Sequence, residues 1–367
     1  MNAISLFSGA GGMDIGFKRA GFDVIAANEI DPYACKTFRA NHSDIHLFEG
    51  DIKTHIDALA LMKNIDVVFG GPPCQGFSVA GKMDVADPRS QLIFSFLEAV
   101  ESVRPKVFVM ENVKALGTLS KFSKVRERLV SQLQKVGYSV QLHILNAKDF
   151  GVAQSRERAF FIGIRASSHK SLKPAFKRRE KKSPTLRQVI VPLGRPGSSR
   201  NSKPCHAKVT IAKKPVLRKS PYAGMLFNGQ GRPLNPDGWA STLPASMGGN
   251  RTPIVDERHL YEKQSSWVEA YHRYLMEGGS PSDMTDVPSY LRRLTINEVA
   301  LLQGFPESYK FYGPNSKIYS QIGNAVPCQL AETVAEVMAS ILSGKIANEL
   351  SDVLPGENLE LDLSQSV

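Results

Sequence analysis

Cys74 stands in GGPPCQGFSVAG, residues 70–81, directly after the apolar run IDVVF. Pro72 and Pro73 remove backbone donors and fix φ, so they hold the thiol in a set direction. Gly76, Ser78 and Gly81 follow it and give a loop able to close over a substrate. A cysteine so placed is a nucleophile if it is thiolate-rich and reachable; the alternative is a small buried hydrophobe. Glu111 ends VFVMENV, where a carboxyl beside an apolar strand can be desolvated and stay protonated near neutral pH, or be an ordinary surface acid. Arg156 and Arg158 are two apart in QSRERAFFIGIR, which reads as a strand carrying both on one face. Such a pair can grip a phosphate or carboxylate, or simply be solvated.

A second constellation begins at the N-terminus. LFSGAGGMDIG puts Gly9, Gly11 and Gly12 where a strand ends and a helix opens. Glycines there let the backbone approach a ligand closely. The spacing is G-x-G-G, with Asp14 in the place of a third dinucleotide-loop glycine, and no GK[ST] follows, which excludes a phosphate-gripping P-loop. Glu29 lies 20 residues after Gly9 at the end of the second apolar run, where an acid suits a ribose with two free hydroxyls. Asp51, in EGDI, ends the third and is placed to meet an adenine edge. A glycine loop and two acids at three successive strand ends suggest a nucleoside ligand with little phosphate. S-adenosylmethionine fits that description better than NAD.

The elements that must position these groups are legible as short, almost continuously apolar runs: AISLF, FDVIAA, IHLFE, IDVVFGG, KVFVMEN, SVQLHIL and RAFFIGI. Strands buried on both faces read this way. MDIGFKRAG and QLIFSFLEAVESV between them have helical spacing, so an α/β, mostly parallel sheet is expected. Residues 166–290 are richer in Pro, Gly, Ser and basic residues and read as loops and short strands. Helical signals return in TINEVALLQGF and in PCQLAETVAEVMASILSG, whose Leu330, Val334, Val337, Met338 and Ile341 share a face.

Charge is distributed unevenly over the 367 residues. The net charge is +11, but Arg165–Lys219 holds 17 Lys/Arg against one acid, Glu180, so the remainder sums to −5. Such a segment suggests a polyanion partner, or else a solvated linker; its apolar piece TLRQVIVPLG favours packing. No apolar run approaches 18 residues and no basic region precedes the N-terminal apolar segment, so neither a transmembrane helix nor a secretory signal is expected. Cys35, Cys74, Cys205 and Cys328 form no CxxC pair, which implies free thiols and a cytoplasmic setting. His42 and His46 are four apart with no matching ligand pair nearby, so no metal is expected.

The ordered set FSGAGG, NEID, GDI, GGPPCQGFS, MENV, QSRER, RRLTINEVALLQGFP and QIGNAVPCQLAETVA resembles the cytosine-5 DNA methyltransferase family of bacterial or phage type, in the family's order from Ile4 to about Ala335. The resemblance implies S-adenosylmethionine as cofactor, with Phe7, Ser8, Gly9, Gly11, Gly12, Glu29, Ile30, Asp51, Ile52 and Pro73 lining its site and Asn324 and Ala325 joining from the far end of the chain. It implies that Cys74 attacks cytosine carbon 6, that Glu111 binds and protonates ring nitrogen 3, and that Arg156 and Arg158 fix the base and the catalytic loop. Gln75, Ser78 and Arg89, with Thr242, Leu243, Asn250 and Arg251 of the recognition segment, are implied to meet DNA. FGVAQSRER departs from the family in having Ala153 where proline is common, which bears on loop stiffness.

The expected architecture is a doubly wound, mostly parallel sheet, the fold of S-adenosylmethionine-dependent methyltransferases, with a second, smaller, loop-rich target-recognition domain. Its catalytic domain covers 1–165 and about 320–345, and its recognition domain about 166–290. A helical return at 291–319 and a flexible acidic tail at 346–367 complete it. The expected function is methylation of carbon 5 of a flipped-out cytosine in a specific duplex DNA sequence by a cytoplasmic monomer, with a separately encoded restriction endonuclease as a possible partner. The same motifs occur in tRNA cytosine methyltransferases and in inactive DNA-binding relatives. A sizeable recognition segment favours DNA, and the intact Cys74, Glu111 and arginines favour catalysis.

Overall fold

The computed structural model describes residues 1–73, 91–165, 171–283 and 286–346. Cys74, Gln75, Ser78 and Arg89 lie outside the described residues, as does the acidic tail from 347. The chain forms two compact units: Met1–Phe150, Glu157–Lys181 and Cys328 onward make the first, and Gly151–Arg156 with Lys182–Pro327 makes the second.

The seven apolar runs are the seven strands of the first unit's sheet: β1 (Asn2–Leu6), β2 (Asp23–Glu29), β3 (His46–Glu49), β4 (Ile65–Gly70), β5 (Val107–Val113), β6 (Tyr138–Asn146) and, after the short β7 (Gln154–Ser155) of the second unit, β8 (Glu157–Arg165). Their order is β3-β2-β1-β4-β5-β8-β6. All pairs from β3 to β5 are parallel, and β8 runs antiparallel to both β5 and β6. The chain winds outward from β1 through β2 to β3, then returns to lay β4 on β1's other side. This switch point opens a crevice at the strands' carboxyl ends, where α/β sheets bind ligands.

Ile4, Leu6, Val68, Phe108, Met110 and Phe161 are fully buried in the core, each contributing about 1.5–3 kcal/mol of burial. The helix Cys328–Leu342 returns to this unit with Leu330, Val334, Val337, Met338 and Ile341 buried, as its spacing requires. Asn315–Leu342 as a whole, the helix Asn315–Asn324 included, is long and apolar enough by composition to cross a membrane, although no continuous apolar run in it approaches 18 residues. Ala325–Pro327 separates the two helices, and 61% of that window is buried.

Among its described residues the second unit has three two-stranded ladders: Ile211–Val216 with Met225–Phe227, β7 with Ala240–Ser241, and Ile254–Asp256 with Leu291–Arg293. Leu226, Phe227, Ile254, Val268, Tyr271 and Leu275 form a core here. The expectation of loops and short strands misses the helix Trp267–Met276, which Ser266 caps by accepting the Glu269 amide hydrogen. The piece TLRQVIVPLG does pack: Thr185 and Gln188 form a capping box on Leu186–Ile190, and Leu186, Ile190 and Leu193 are buried.

Candidate active site

The glycine loop leaves β1 with its backbone bent hard. Phe7 has φ 54, a left-handed value that costs a non-glycine residue about 1–2 kcal/mol, and Gly9 (φ 56) and Gly11 (φ 81) follow. A Cβ built on Gly9 would meet nothing within 4 Å, so the loop faces open space there. Glu29, at the end of β2, holds the loop: Oε2 accepts the Gly9 amide at 2.7 Å, and Oε1 accepts those of Ile30 and Asp31 at 2.8 and 2.7 Å. Burial pushes its carboxyl above the usual glutamate range, and the three amides pull it back. A carboxylate takes about four hydrogen bonds, so one remains for an incoming hydroxyl. Ser8 donates its amide to Asn28 O at 3.0 Å, and Gly12 opens the helix Gly12–Arg19.

Ile30 leaves its side chain 64% exposed at the same strand end, a flat apolar surface of the kind an adenine covers. Asp51 accepts the Lys53 amide at 3.1 Å and is exposed, whereas Ile52 is buried in the core and reaches the site only through its backbone. These residues together fit a nucleoside: an acid beside the glycine loop, an exposed apolar shelf and a second acid. Sequence reasoning passed over Asn28, whose buried amide donates to Phe48 O and Gly50 O at 2.9 and 3.1 Å and so ties β2 to the Asp51 turn.

The second corner lies at the ends of β4, β5 and β8. Gly70 pairs with Met110, which sets Glu111 beside Gly71. A Cβ on Gly71 would lie 2.9 Å from Glu111 Oε2, so the glycine is there to let the carboxyl in. Arg158 on β8 pairs with Val113 and reaches diagonally across the same face, its Nε 3.0 Å from Glu111 Oε1. Burial holds the Arg158 guanidinium below its ordinary range, and Glu111 raises it. Asn112, which the sequence reading quoted without a role, donates to Pro72 O at 3.1 Å and anchors the turn that carries Pro73. Arg156 and Arg158 stand in different surroundings. Arg156 falls between β7 and β8 in the second unit, nearly fully buried, and donates to Leu243 O at 2.9 Å and Gly323 O at 2.8 Å.

Those bonds organise the remaining expected residues. Thr242 is exposed and donates to Ser155 O at 3.0 Å; Leu243 is fully buried and accepts at its carbonyl from Arg156, while its amide donates to Gln154. Leu243 therefore has a structural place rather than a groove-facing one. Asn250 and Arg251 are exposed. Their loop is clamped by Arg293, which sequence reasoning missed: its buried guanidinium donates to Thr252 O at 2.7 Å and Asn250 O at 3.1 Å, and more loosely to Lys208 O and Asn228 O. Asn324, exposed, ends the helix Asn315–Asn324, and Ala325 accepts from Gln303 at its carbonyl.

The chain is similar to known proteins. The C-5 cytosine-specific DNA methylase family model matches residues 1–340. The Type II methyltransferase M.NgoPII of Neisseria gonorrhoeae is 35% identical over 93% of this chain and 96% of its own. M1.HphI of Haemophilus parahaemolyticus is 36% identical over 91% and 86%.

The chain belongs to the C-5 cytosine-specific DNA methylase family.

It is a DNA (cytosine-5-)-methyltransferase with restriction-modification relatives. The S. pombe Dnmt2 methyltransferase structure superposes with a TM-score of 0.65 at 20% identity, covering 94% of this chain and 99% of that one, a likeness of fold. For a methylase of DNA, the basic segment takes on a different look from its raw count. Arg179, Arg187, Arg195 and Arg200 pair with Glu336, Asp237, Glu262 and Glu307. Lys173, Lys181, Lys182, Lys213 and Lys214 remain as exposed cations that can meet phosphates.

Proposed function

We propose that this methylase transfers the methyl group of S-adenosylmethionine to carbon 5 of a cytosine flipped out of a specific duplex DNA sequence, through a covalent adduct of Cys74 at carbon 6. The observation that carries this reading is Glu111 at the end of β5, held by Arg158 against the Gly71–Pro72–Pro73 turn that leads to Cys74.

Carbon 5 of cytosine is a weak nucleophile. Addition of the Cys74 thiolate to carbon 6 makes carbon 5 electron-rich, and Glu111 offsets the charge that reaches the ring by giving a proton or hydrogen bond to nitrogen 3. Arg158 holds the carboxyl at Oε1 and so orients it toward the base. The ring must leave the stack because its target atoms are shielded in the duplex. Glu29 would hold the ribose hydroxyls, Ile30 and Asp51 the adenine, and the Gly9–Gly12 backbone the amino-acid end; the cofactor supplies an electrophilic methyl on a sulfonium. After transfer a base removes the carbon 5 proton, the electron pair restores the ring, and the thiolate leaves. The Type II names of the relatives support a separately encoded endonuclease as partner, and a monomer in the bacterial cytoplasm completes the reading.

Expression in cells lacking cytosine methylation, followed by bisulfite sequencing, tests activity and reads the site. Duplex DNA with 5-fluorocytosine at that site should trap a covalent complex with the wild-type chain and not with Cys74→Ser. Methylation of tRNA but not of duplex DNA, or full turnover by Cys74→Ser, would overturn the reading.

A further inference from the structure

Asp14 has no part in the reaction just described, yet it occupies an expensive position. It is the third residue of the helix Gly12–Arg19, one turn beyond the glycine loop, and its side chain is 0% exposed. Among the described residues neither carboxyl oxygen has a partner in hydrogen-bond geometry; Ser5 Oγ of β1 and the backbone amide of Asp14 itself lie near enough to pull its pKa down somewhat. A buried ionised carboxylate without a partner is strongly disfavoured, so the group must be neutral unless a positive charge stands near. Perturbed, unpartnered acids of this kind gather at functional sites.

We propose that Asp14 is a positioning residue that exchanges its proton for the positive charge of the methyl donor: a neutral acid beside the neutral thioether product, a carboxylate beside the sulfonium. This rests on the reading that the glycine loop takes S-adenosylmethionine. In the exchange the Asp14 O–H bond would break, the proton would pass to solvent, and the carboxylate would be stabilised by the positive field of a sulfonium bound at the glycine loop. Methyl transfer removes the sulfonium charge, the carboxylate takes a proton back, and product release is favoured over release of the donor.

The surroundings agree. Burial pushes the Asp14 carboxyl up to about 7, so a modest field moves it across the working range. On its own helix Lys18 favours the charged form but is paired with Asp44 at 2.7 Å, and Arg19 lies 3.6 Å from Glu332 of the helix Cys328–Leu342. From β2, Glu29 opposes ionisation. From the last helix, the Cys328 thiol is pushed up to about 12 by burial and stays neutral. The amides of the helix's first turn favour an anion.

The test is calorimetry of the full chain near pH 7 in two buffers of different ionisation enthalpy. An opposite charge on the order of 10 Å away lowers the carboxyl by about one unit, a tenfold coupling. Wild type should then release roughly 0.4 proton more with S-adenosylmethionine than Asp14→Asn does, and no more with S-adenosylhomocysteine. The ligand amino group contributes equally to both proteins. Equal proton counts for the two proteins with the sulfonium overturn the proposal. Asp14→Ser replaces the first variant if that one does not fold. The preference for sulfonium over thioether should also rise between pH 6 and 8 by more in wild type than in the variant, and an equal pH dependence in both overturns the proposal. Failure of either ligand to bind wild type at all would instead sink the cofactor assignment.

Discussion

Arg158 Nε stands 3.0 Å from Glu111 Oε1, on the face of the sheet where β5 and β8 run antiparallel. The pair fixes the orientation of the Glu111 carboxyl. Arg158→Ala should lower kcat by about 10²-fold or more, the usual cost of losing one fixed electrostatic contact. Arg158→Lys should recover only part, since a point charge lacks the planar fork. DNA affinity should stay within a few-fold. Single-turnover kinetics check this, and a kcat within threefold of wild type for Arg158→Ala would count against the arrangement.

Gly71 tests the same carboxyl from the other side. Its added Cβ would stand 2.9 Å from Glu111 Oε2. Gly71→Ala should displace the carboxyl by a few tenths of an ångström to 1 Å and cost up to about 10²-fold in kcat. The stability loss should be on the order of 1–3 kcal/mol. Urea unfolding and steady-state kinetics on one preparation separate the two effects. Wild-type turnover would show that Glu111 is not poised at Gly71.

What the sequence shows and hides follows from physics. The central strands β1, β4 and β5 were legible because they are buried on both faces and read as apolar runs, while the edge strands β3 and β6 are only half-buried and read from their apolar residues alone. The reversal of β8 was not legible, since a run of buried residues has no direction; only its pairing with β5 supplies one. The helix Trp267–Met276 was missed inside a segment rich in proline, glycine and charge, although Val268, Tyr271, His272 and Leu275 fall at helical spacing and Ser266 and Glu269 carry a capping spacing. Arginines were the hardest to read. In sequence Arg156 and Arg158 look equivalent, but one binds backbone carbonyls and the other a carboxylate. Arg293 reads as part of a basic run, and its role emerges only when four carbonyls distant in sequence converge on it.

Arg293 therefore offers a test of how the recognition loops are held. Arg293→Ala would strand the Thr252 carbonyl and remove one of two donors from that of Asn250, which also accepts the Gly231 amide, with a cost of about 1–3 kcal/mol. Site discrimination should collapse, with methylation spread over related sequences at reduced rate, while the affinity for S-adenosylmethionine stays within threefold. Bisulfite sequencing of a mixed-sequence substrate reads the first, and calorimetry the second. Unchanged discrimination would mean that the Asn250–Arg251 loop does not depend on this clamp.

The buried acid under the glycine loop makes stability depend on pH in a definite direction. Asp14 binds its proton with a value of about 7 in the fold against 3.8 in the unfolded chain. The folded chain therefore keeps a proton that the unfolded chain has lost, and stability falls as pH rises between those two values, then levels off. The full difference corresponds to at most about 4 kcal/mol. Asp14→Asn keeps the shape and cannot ionise. It should therefore gain on wild type by about 2–3 kcal/mol as the pH rises from 5 to 8, and by nothing further above that. Urea titrations of both proteins across this range measure the gain. Parallel stability curves for the two would show that Asp14 is ionised throughout and has a compensating charge.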